Sequence, residues 1–194
     1  MIIETIKNSV MNSCTYILCA DDTDACLLID CGEYEPIHAF LSQKNIIVKG
    51  VLLTHGHCDH IGGLPSLLME NPEIPIYTTI EGINEIKDSR RNLSFFTGNP
   101  IEVKSFNAVE VSEGSDIKFE GFPNIKVLYT PGHDDSELSF CVEDNLFTGD
   151  AYIPGLEVLY KYPRGNKQKA FESEARLKEM ERKGYNVFCG HHSY

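Results

Sequence analysis

The chain has 194 residues, of which 42% are hydrophobic and 24% charged, and its formal net charge is −12. A chain of this size and composition buries roughly 70% of its unfolded surface, which excludes a disordered protein and predicts one domain over residues 1–194. The negative charge excludes nucleic acid as a favoured partner, because it repels a phosphate backbone. The densest basic pair, Arg90-Arg91, is too small to reverse that repulsion.

Cysteine usage and hydropathy bear on the compartment. The seven cysteines are scattered and form no Cys-x-x-Cys pair, which favours free thiols in a reducing compartment. Residues 1–12 lack the basic flank, apolar stretch and cleavage site of a signal peptide, and no run approaches 18 apolar residues. These features predict a cytoplasmic protein that acts on a small molecule without a membrane partner, and they leave the oligomeric state open.

Short apolar segments separated by turn residues dominate the first half of the chain. They predict strands over 15–19, 25–30, 46–53 and 75–79, with a polar hairpin turn at 21–24. Helices are predicted over 36–44, 61–71 and 166–183, and strand-like residues occupy 101–147. Apolar stripes are expected at Leu64, Leu67 and Leu68 and at Phe171, Ala175, Leu177 and Met180. Two batches of strands, each followed by helices, predict two sheets packed face to face with helices outside.

A weak internal repeat links three places in the chain. Residues 51–57 and 127–133 are identical at five of seven positions, and residues 187–191 repeat the pattern in a looser form. In each case a predicted buried strand runs into a glycine and then a histidine. The glycine is expected to let the backbone turn sharply off the sheet edge. Chance is the alternative explanation, but three occurrences favour a duplication that delivers histidines to one shared site.

The run His55-Gly56-His57-Cys58-Asp59-His60 carries the strongest chemical signal. Imidazole is the commonest metal ligand, and catalytic zinc sites take three protein ligands and leave a position open. Alternation places His55 and His57 on one side of an extended loop and directs Cys58 away from them. Asp59 and His60 face a slightly different point, which suggests a second ion. His38, far from these segments, is expected to be a surface residue.

These motifs resemble those of the metallo-β-lactamase superfamily. The matching segments occur in the family's order: THGHCDHIGGL at 54–64, TPGH at 130–133, FTGD at 147–150 and CGH at 189–191. Residues 28–32, LIDCG, are similar to the family's early strand-end aspartate. The resemblance covers nearly the whole chain and implies an α/β fold, the four-layer αββα sandwich. Within the family the chain is most similar to compact glyoxalase II-like hydrolases.

The resemblance implies a dinuclear centre. His55, His57 and His133 would hold one metal ion, Asp59, His60 and His191 the other, and Asp150 would bridge them. Asp30 would support the site from behind, and Asp59 would act as the catalytic base. Two Zn²⁺ ions are expected, with iron or manganese as alternatives.

The implied reaction is hydrolysis of a small acyl compound such as a thioester by a metal-bound hydroxide. Lactone or β-lactam hydrolysis, and a persulfide dioxygenase with one iron, share the motif set and stay open. Glyoxalase II enzymes carry a further helical domain after the last motif, and its expected absence here leaves glutathione specificity open. Substrate contacts are expected from segments 90–100 and 152–167, through Arg90, Arg91, Phe95, Phe96, Tyr160, Tyr162 and Arg164.

Two departures from the family pattern fall beside the site. Asp134-Asp135 follow the TPGH motif, and His192 follows the last motif where the family usually has glycine. The aspartates are interpreted as residues of a solvated turn. A weaker alternative is that their charge lowers the affinity for an anionic substrate. His192 is interpreted as an exposed residue without a chemical role, with ligand and proton shuttle as the alternatives.

Overall fold

The computed structural model describes residues 1–21 and 23–192 and contains two mixed β-sheets. The six-stranded sheet has its strands in chain order: β1 (Ile2–Lys7), β2 (Cys14–Cys19), β3 (Ala25–Ile29), β4 (Ile47–Leu52), β5 (Ile76–Thr78) and β6 (Ala108–Glu110). The five-stranded sheet has the order β11 (Asn186–Cys189), β10 (Asn145–Gly149), β9 (Leu138–Val142), β8 (Ile125–Tyr129) and β7 (Asp116–Ile117).

Helices cover the outer faces of both sheets. They are α1 (Tyr34–Lys44), α2 (Cys58–Ile61), α3 (Leu64–Glu70), α4 (Ile80–Ile86) and α5 (Lys167–Arg182), with a 3₁₀ turn at Ser94–Thr97. Strand alternation sends Leu27 and Ile29 to the core between the sheets, where they meet Phe140 of β9. The intervening Leu28 faces Ile37 of α1 in a second core. The α/β class and the four-layer αββα sandwich are therefore confirmed.

A third core lies under α5. The apolar stripe predicted for this helix is right at Leu177 but wrong at Phe171 and Ala175. The buried residues of α5 are Ala170, Ser173 and Leu177, whereas Phe171 and Ala175 are exposed. A stripe of one small, one polar and one large residue has little apolar contrast, which is why the sequence pattern misplaced it. Leu177 packs against Leu146 of β10 and so attaches the helix to the second sheet.

The helix predicted over 61–71 is two helices, α2 and α3, separated by a glycine pair. A Cβ added to Gly62 would lie 2.5 Å from the carbonyl oxygen of Gly32, and one on Gly63 would lie 2.9 Å from Cys31 Sγ. The pair therefore permits close packing on the turn after β3. As predicted, Leu64, Leu67 and Leu68 are the buried residues of α3.

Other predicted elements match more closely. β2 and β3 are antiparallel neighbours, as the hairpin requires, although residue 22 of its turn lies outside the described residues. The sequence reading missed β1 and α4, and residues 101–107 form no strand. No helix in the described chain is long and apolar enough to cross a membrane.

The fold brings five strand ends to one edge of the sandwich. β3 and β4 are parallel neighbours, as are β10 and β11, and β8 runs in the direction of β10 because β9 is antiparallel to both. The segments that follow these strands carry Asp30, residues 54–60, residues 130–134, Asp150 and His191. Residues far apart in sequence therefore meet at this edge.

Candidate metal centre

The seven residues predicted as metal ligands lie together at this edge. Potential ligand atoms lie within 4.8 Å of one another in three overlapping triads. We call this set the ligand cluster; its triads are His55-His57-His133, Asp59-His60-His191 and His55-His60-Asp150. Two of the three are the triads that the family resemblance assigned to separate ions.

Asp150 lies between the two groups of histidines. Its Oδ2 is 3.5 Å from His133 Nε2 and 3.2 Å from His191 Nε2, and its Oδ1 is 3.6 Å from His60 Nε2. Asp59 Oδ2 lies 3.3 Å from His191 Nε2 and 3.5 Å from His60 Nε2. Asp150 therefore contacts both groups of histidines, whereas Asp59 contacts only the group of His60 and His191.

Four of the histidines are anchored through Nδ1, which leaves Nε2 directed into the cluster. His60 Nδ1 lies 2.8 Å from Asp30 Oδ2, and His55 Nδ1 lies 3.1 Å from Thr54 Oγ1. His133 Nδ1 donates to a main-chain carbonyl at 2.7 Å and His191 Nδ1 to another at 2.9 Å. These partners favour the tautomer with the proton on Nδ1 and a lone pair on Nε2.

His57 has the opposite orientation. Its Nδ1 lies 3.0 Å from His133 Nε2, and its Nε2, which makes no hydrogen bond, lies 3.2 Å from Asp134 Oδ2. With Nε2 protonated beside Asp134, His57 presents the lone pair of Nδ1 to the lone pair of His133. Two lone pairs at this distance repel each other unless a cation or a proton lies between them.

Several polar atoms of the cluster are buried without a hydrogen-bond partner, and they include His55 Nε2 and Asp150 Oδ1. A buried polar atom without a partner costs about 1–3 kcal/mol, so such atoms indicate a missing partner. Imidazole nitrogens and carboxylate oxygens are the donor set that zinc and iron accept. The residues therefore fit a metal centre.

Electrostatics within the cluster favour neutral imidazoles near His55 and negative charge near Asp150. Burial and the neighbouring imidazoles lower the pKa of His55 well below its ordinary value. Burial would also lower the pKa of His60, but the carboxylates of Asp59, Asp30 and Asp150 raise it above the ordinary value. Burial likewise opposes ionisation of Asp150, yet the surrounding histidines hold its pKa below the usual range. An ionised carboxylate among imidazoles is suited to cations.

Asp30 supports the cluster from behind. Its backbone is left-handed, with φ 60°, a conformation that non-glycine residues seldom adopt. This turn lets the carboxylate accept the main-chain N–H of Thr54 at 2.8 Å, the Thr54 hydroxyl and His60 Nδ1. Asp30 therefore links the ends of β3 and β4 to one ligand, and this geometry supports the predicted second-layer position.

A buried network of charged residues supports the ligand cluster on the side of His57. Arg164 contacts Glu85 at 2.8 Å, Asp134 at 2.9 Å and the main-chain oxygen of Arg91 at 2.6 Å. Glu85 in turn accepts the N–H of Gly56 at 2.9 Å, between two ligand-cluster histidines. Burial, and to a lesser extent the neighbouring Asp134, raises the pKa of Glu85 to about 9. Arg164 thus supplies the positive charge that faces three clustered carboxyl groups, those of Glu85, Asp134 and Asp135.

The network corrects two predictions from the sequence. Asp134 is fully buried and ion-paired, so the interpretation of it as a solvated turn residue is wrong. Arg164, predicted to contact substrate, instead has its guanidinium engaged with Glu85 and Asp134. The signal in the sequence was an acidic pair directly after a ligand histidine, because carboxylates are common partners of metal-binding histidines.

The glycines of the repeat serve mainly close packing. Only Gly132 of the three Gly-His glycines has a left-handed φ, 138°, and a Cβ there would lie 2.1 Å from the backbone nitrogen of Ala170. Gly190 has no positive φ, but a Cβ there would lie 2.1 Å from Asp150 Oδ1. The expectation that each glycine provides a sharp turn is therefore wrong for Gly56 and Gly190. β11 is also only half-buried rather than buried.

The ligand cluster forms one end of a cavity of about 460 Å³, which is within the usual size range for small-molecule sites. Both segments predicted to contact substrate line it. Most of its remaining surface is formed by apolar and aromatic side chains, here called the apolar wall: Met11, Leu93, Phe96, Ile153, Leu156, Val158, Leu159 and Tyr162. Arg90 does not line the cavity and stacks instead on the Phe95 ring at 3.9 Å.

The positions of His192, Cys58, Tyr162 and His38 complete the description of the site and its surroundings. His192 and Cys58 line the cavity but belong to none of the ligand triads in the described chain. The Tyr162 ring packs edge-on against His57 and His133, each at 5.1 Å between centroids. His38 is exposed, as predicted.

Comparison with known proteins agrees with this geometry. The family model of the metallo-beta-lactamase superfamily matches residues 10–192. The chain belongs to this superfamily. A hydroxyacylglutathione hydrolase of Hamiltonella defensa is 26% identical over 178 residues, covering 91% of this chain and 61% of the relative. The chain thus spans about three-fifths of the length of that curated relative.

Two solved structures of the superfamily have the same fold. BLEG-1 B3 metallo-beta-lactamase superposes with a TM-score of 0.85 at 22% identity, covering 99% of this chain and 92% of that one. TTHA1623, solved in a di-iron-bound form, superposes with a TM-score of 0.79 at 23% identity, covering 98% and 92%. At these identities the likeness concerns the fold.

Proposed function

We propose that this chain is a metal-dependent hydrolase of small acyl substrates, with thioesters as the first candidates and two metal ions in the ligand cluster. One observation carries the proposal: two groups of inward-facing imidazole lone pairs share the Asp150 carboxylate at the end of a substrate-sized cavity. His55, His57 and His133 would hold one ion, Asp59, His60 and His191 the other, and Asp150 would contact both. Zinc is the default, and iron is the main alternative because the similar TTHA1623 was solved with two irons.

Divalent ions in such a centre polarise a substrate carbonyl and lower the pKa of bound water to about 7. The other contributions come from the chain itself. The Asp59 carboxylate lines the cavity and would orient the attacking water and accept its proton. The Asp30–His60 and Asp134–His57 contacts would hold two ligand rings in their tautomers. The apolar wall would exclude bulk water from the reacting carbonyl.

The relatives support thioesters as substrates. Several are named hydroxyacylglutathione hydrolase, at 26–34% identity over 70–91% of this chain. The compartment is proposed from the cysteines, all seven of which are free thiols, in keeping with a reducing cytoplasm.

The test combines metal analysis with a substrate panel. Protein loaded with zinc, and separately with iron, is assayed against thioesters, lactones, a β-lactam and a phosphodiester. The proposal expects thioester hydrolysis that follows the metal content. Oxygen consumption with a persulfide at one iron per chain, without thioester hydrolysis, would contradict it, as would turnover of the phosphodiester alone.

A further inference from the structure

No lysine or arginine lines the cavity in the described part of the chain. Its carboxyl and imidazole groups are three carboxylates, the histidines of the centre and His192. These carboxylates belong to Asp59, Asp150 and Glu157. None of the three arginines predicted to serve the cavity, Arg90, Arg91 and Arg164, lines it; Arg90 stacks on Phe95, and Arg164 is held in the Glu85–Asp134 network. The cavity therefore offers no lysine or arginine to pair with an anionic substrate.

The outer part of the apolar wall is exposed to an unusual degree. Met11 is 59% exposed, Phe96 69%, Leu156 49% and Leu159 64%. They come from three separate segments of the chain and surround the same cavity. Exposed apolar side chains that converge on one cavity indicate a ligand that covers them.

A glutathione thioester fits this wall poorly. Its two carboxylates lie far from the reacting carbonyl, so they would meet apolar side chains and Glu157. Burying a carboxylate without a hydrogen-bond or ionic partner is strongly unfavourable. The net charge of −12 adds long-range repulsion of an anionic substrate. An uncharged thioester with an apolar acyl chain avoids both costs.

Resting on the proposed hydrolase function, we infer that the substrates are uncharged thioesters with an apolar acyl chain, and that glutathione thioesters are disfavoured. The acyl chain lies against Phe96, Leu156 and Leu159, and the carbonyl is directed to the ligand cluster. Each methylene that becomes fully buried strengthens binding about fourfold. Four added methylenes against a half-open wall are therefore expected to raise kcat/KM by at least about tenfold.

The first experiment uses matched thioesters on the metal-loaded protein. S-acetyl- and S-hexanoyl-N-acetylcysteamine differ only in acyl length, and S-hexanoylglutathione adds the charged thiol part. We expect kcat/KM to rise at least about tenfold from acetyl to hexanoyl. We also expect it to fall severalfold from the neutral thioester to its glutathione counterpart. Equal or greater activity on the glutathione thioester would overturn the inference and leave the hydrolase proposal standing.

Binding of non-hydrolysable thioethers separates the two proposals. S-hexyl-N-acetylcysteamine and S-hexylglutathione are titrated calorimetrically into the metal-loaded protein. Tighter binding of the neutral thioether supports the preference of the cavity for an uncharged, apolar ligand even if no thioester is hydrolysed, a result that would sink the hydrolase proposal. Tighter binding of S-hexylglutathione would overturn the inference whatever the activity.

Lysine substitutions on the apolar wall test whether the substrate lies against it. Leu156→Lys and Phe96→Lys each place a cation on the apolar wall, and each is expected to shift the ratio of activities toward S-hexanoylglutathione by about two- to fivefold, the range of an exposed ion pair. Met69→Lys is the matched control, because Met69 is 86% exposed and lies outside the cavity. An unchanged ratio in both wall variants, or the same shift in the control, would contradict this location.

Discussion

The two ends of the cavity follow different physical rules. The ligand cluster is buried, polar and held by hydrogen bonds at the ends of five strands, whereas the outer apolar wall is exposed and lies on loops and a 3₁₀ turn. His60 is 1% exposed and contacts Asp30, while Leu159 is 64% exposed. The rigid end is suited to chemistry that tolerates little displacement, and the loop end is suited to selection among substrates. Changes to the cluster should therefore affect catalysis, and changes to the wall should affect specificity.

Metal removal should produce the largest effect. Without ions, the buried His55 Nε2 and Asp150 Oδ1 lack hydrogen-bond partners. Dialysis against a chelator is expected to abolish hydrolysis and lower Tm, because metal that binds only the folded state contributes about 4 kcal/mol at a thousand times its Kd. Activity assays and differential scanning calorimetry before and after zinc is restored check this. Full turnover in protein verified as metal-free would contradict it.

Asp59→Asn should cause the second-largest loss of activity. Asparagine keeps the shape of the side chain but loses its charge and basicity, so proton acceptance and affinity for the second ion both fall. General-base contributions are typically about 10²–10⁴-fold, and the loss of kcat should be at least that large. At least one metal ion should remain, because His55, His57 and His133 are unchanged.

His192→Ala is the matched control for Asp59→Asn. His192 lines the same cavity but belongs to no ligand triad among the described residues, so its loss should cost far less activity. If Asp59→Asn kept full turnover and two metals, Asp59 would have no catalytic role.

Asp134→Asn should have an intermediate effect that acts through His57. The amide keeps the volume but removes the charge that favours the proton on His57 Nε2 and pairs with Arg164. Outer-layer partners of this kind are typically worth about 10–100-fold in metal affinity or activity. The measurement is the zinc Kd of the first site, together with circular dichroism to verify folding.

Asp135→Asn is the control for Asp134→Asn. The Asp135 side chain is 41% exposed and lies farther from Arg164, at 3.3 Å, so its variant should change the zinc Kd little. Equal effects of the two substitutions would indicate a general electrostatic role rather than orientation of His57.

The smallest effect is expected at the apolar wall. Leu156→Ala removes a half-exposed side chain, which should cost about 1 kcal/mol of substrate binding, or about fivefold in KM for a hexanoyl thioester. The kcat value should stay unchanged, because Leu156 belongs to none of the ligand triads. Steady-state kinetics with acetyl and hexanoyl thioesters check this, and a fall in kcat with constant KM would contradict the division between the two ends.

The same division explains what could be predicted from the sequence. The two sheets follow from strand periodicity, and the seven clustered residues follow from the histidine-rich motifs together with the resemblance to the superfamily. The Arg164 network could not be predicted, because it joins Glu85, Asp134 and Arg164 from three separate loops and helices. Glu137 was missed for a similar reason. It directly precedes the buried strand β9, and its carboxylate accepts the N–H of Asp150 at 3.0 Å only once β9 and β10 are paired.

The metal content of the purified protein tests the central claim most directly. Metal-free protein is titrated with zinc, and the bound metal per chain is measured by mass spectrometry after gel filtration, alongside Asp150→Ala. The account predicts a plateau at two ions per chain and a lower plateau in the variant, because Asp150 contacts both groups of histidines. A plateau at one ion or fewer in the unaltered protein, with no loss in Asp150→Ala, would contradict a dinuclear centre.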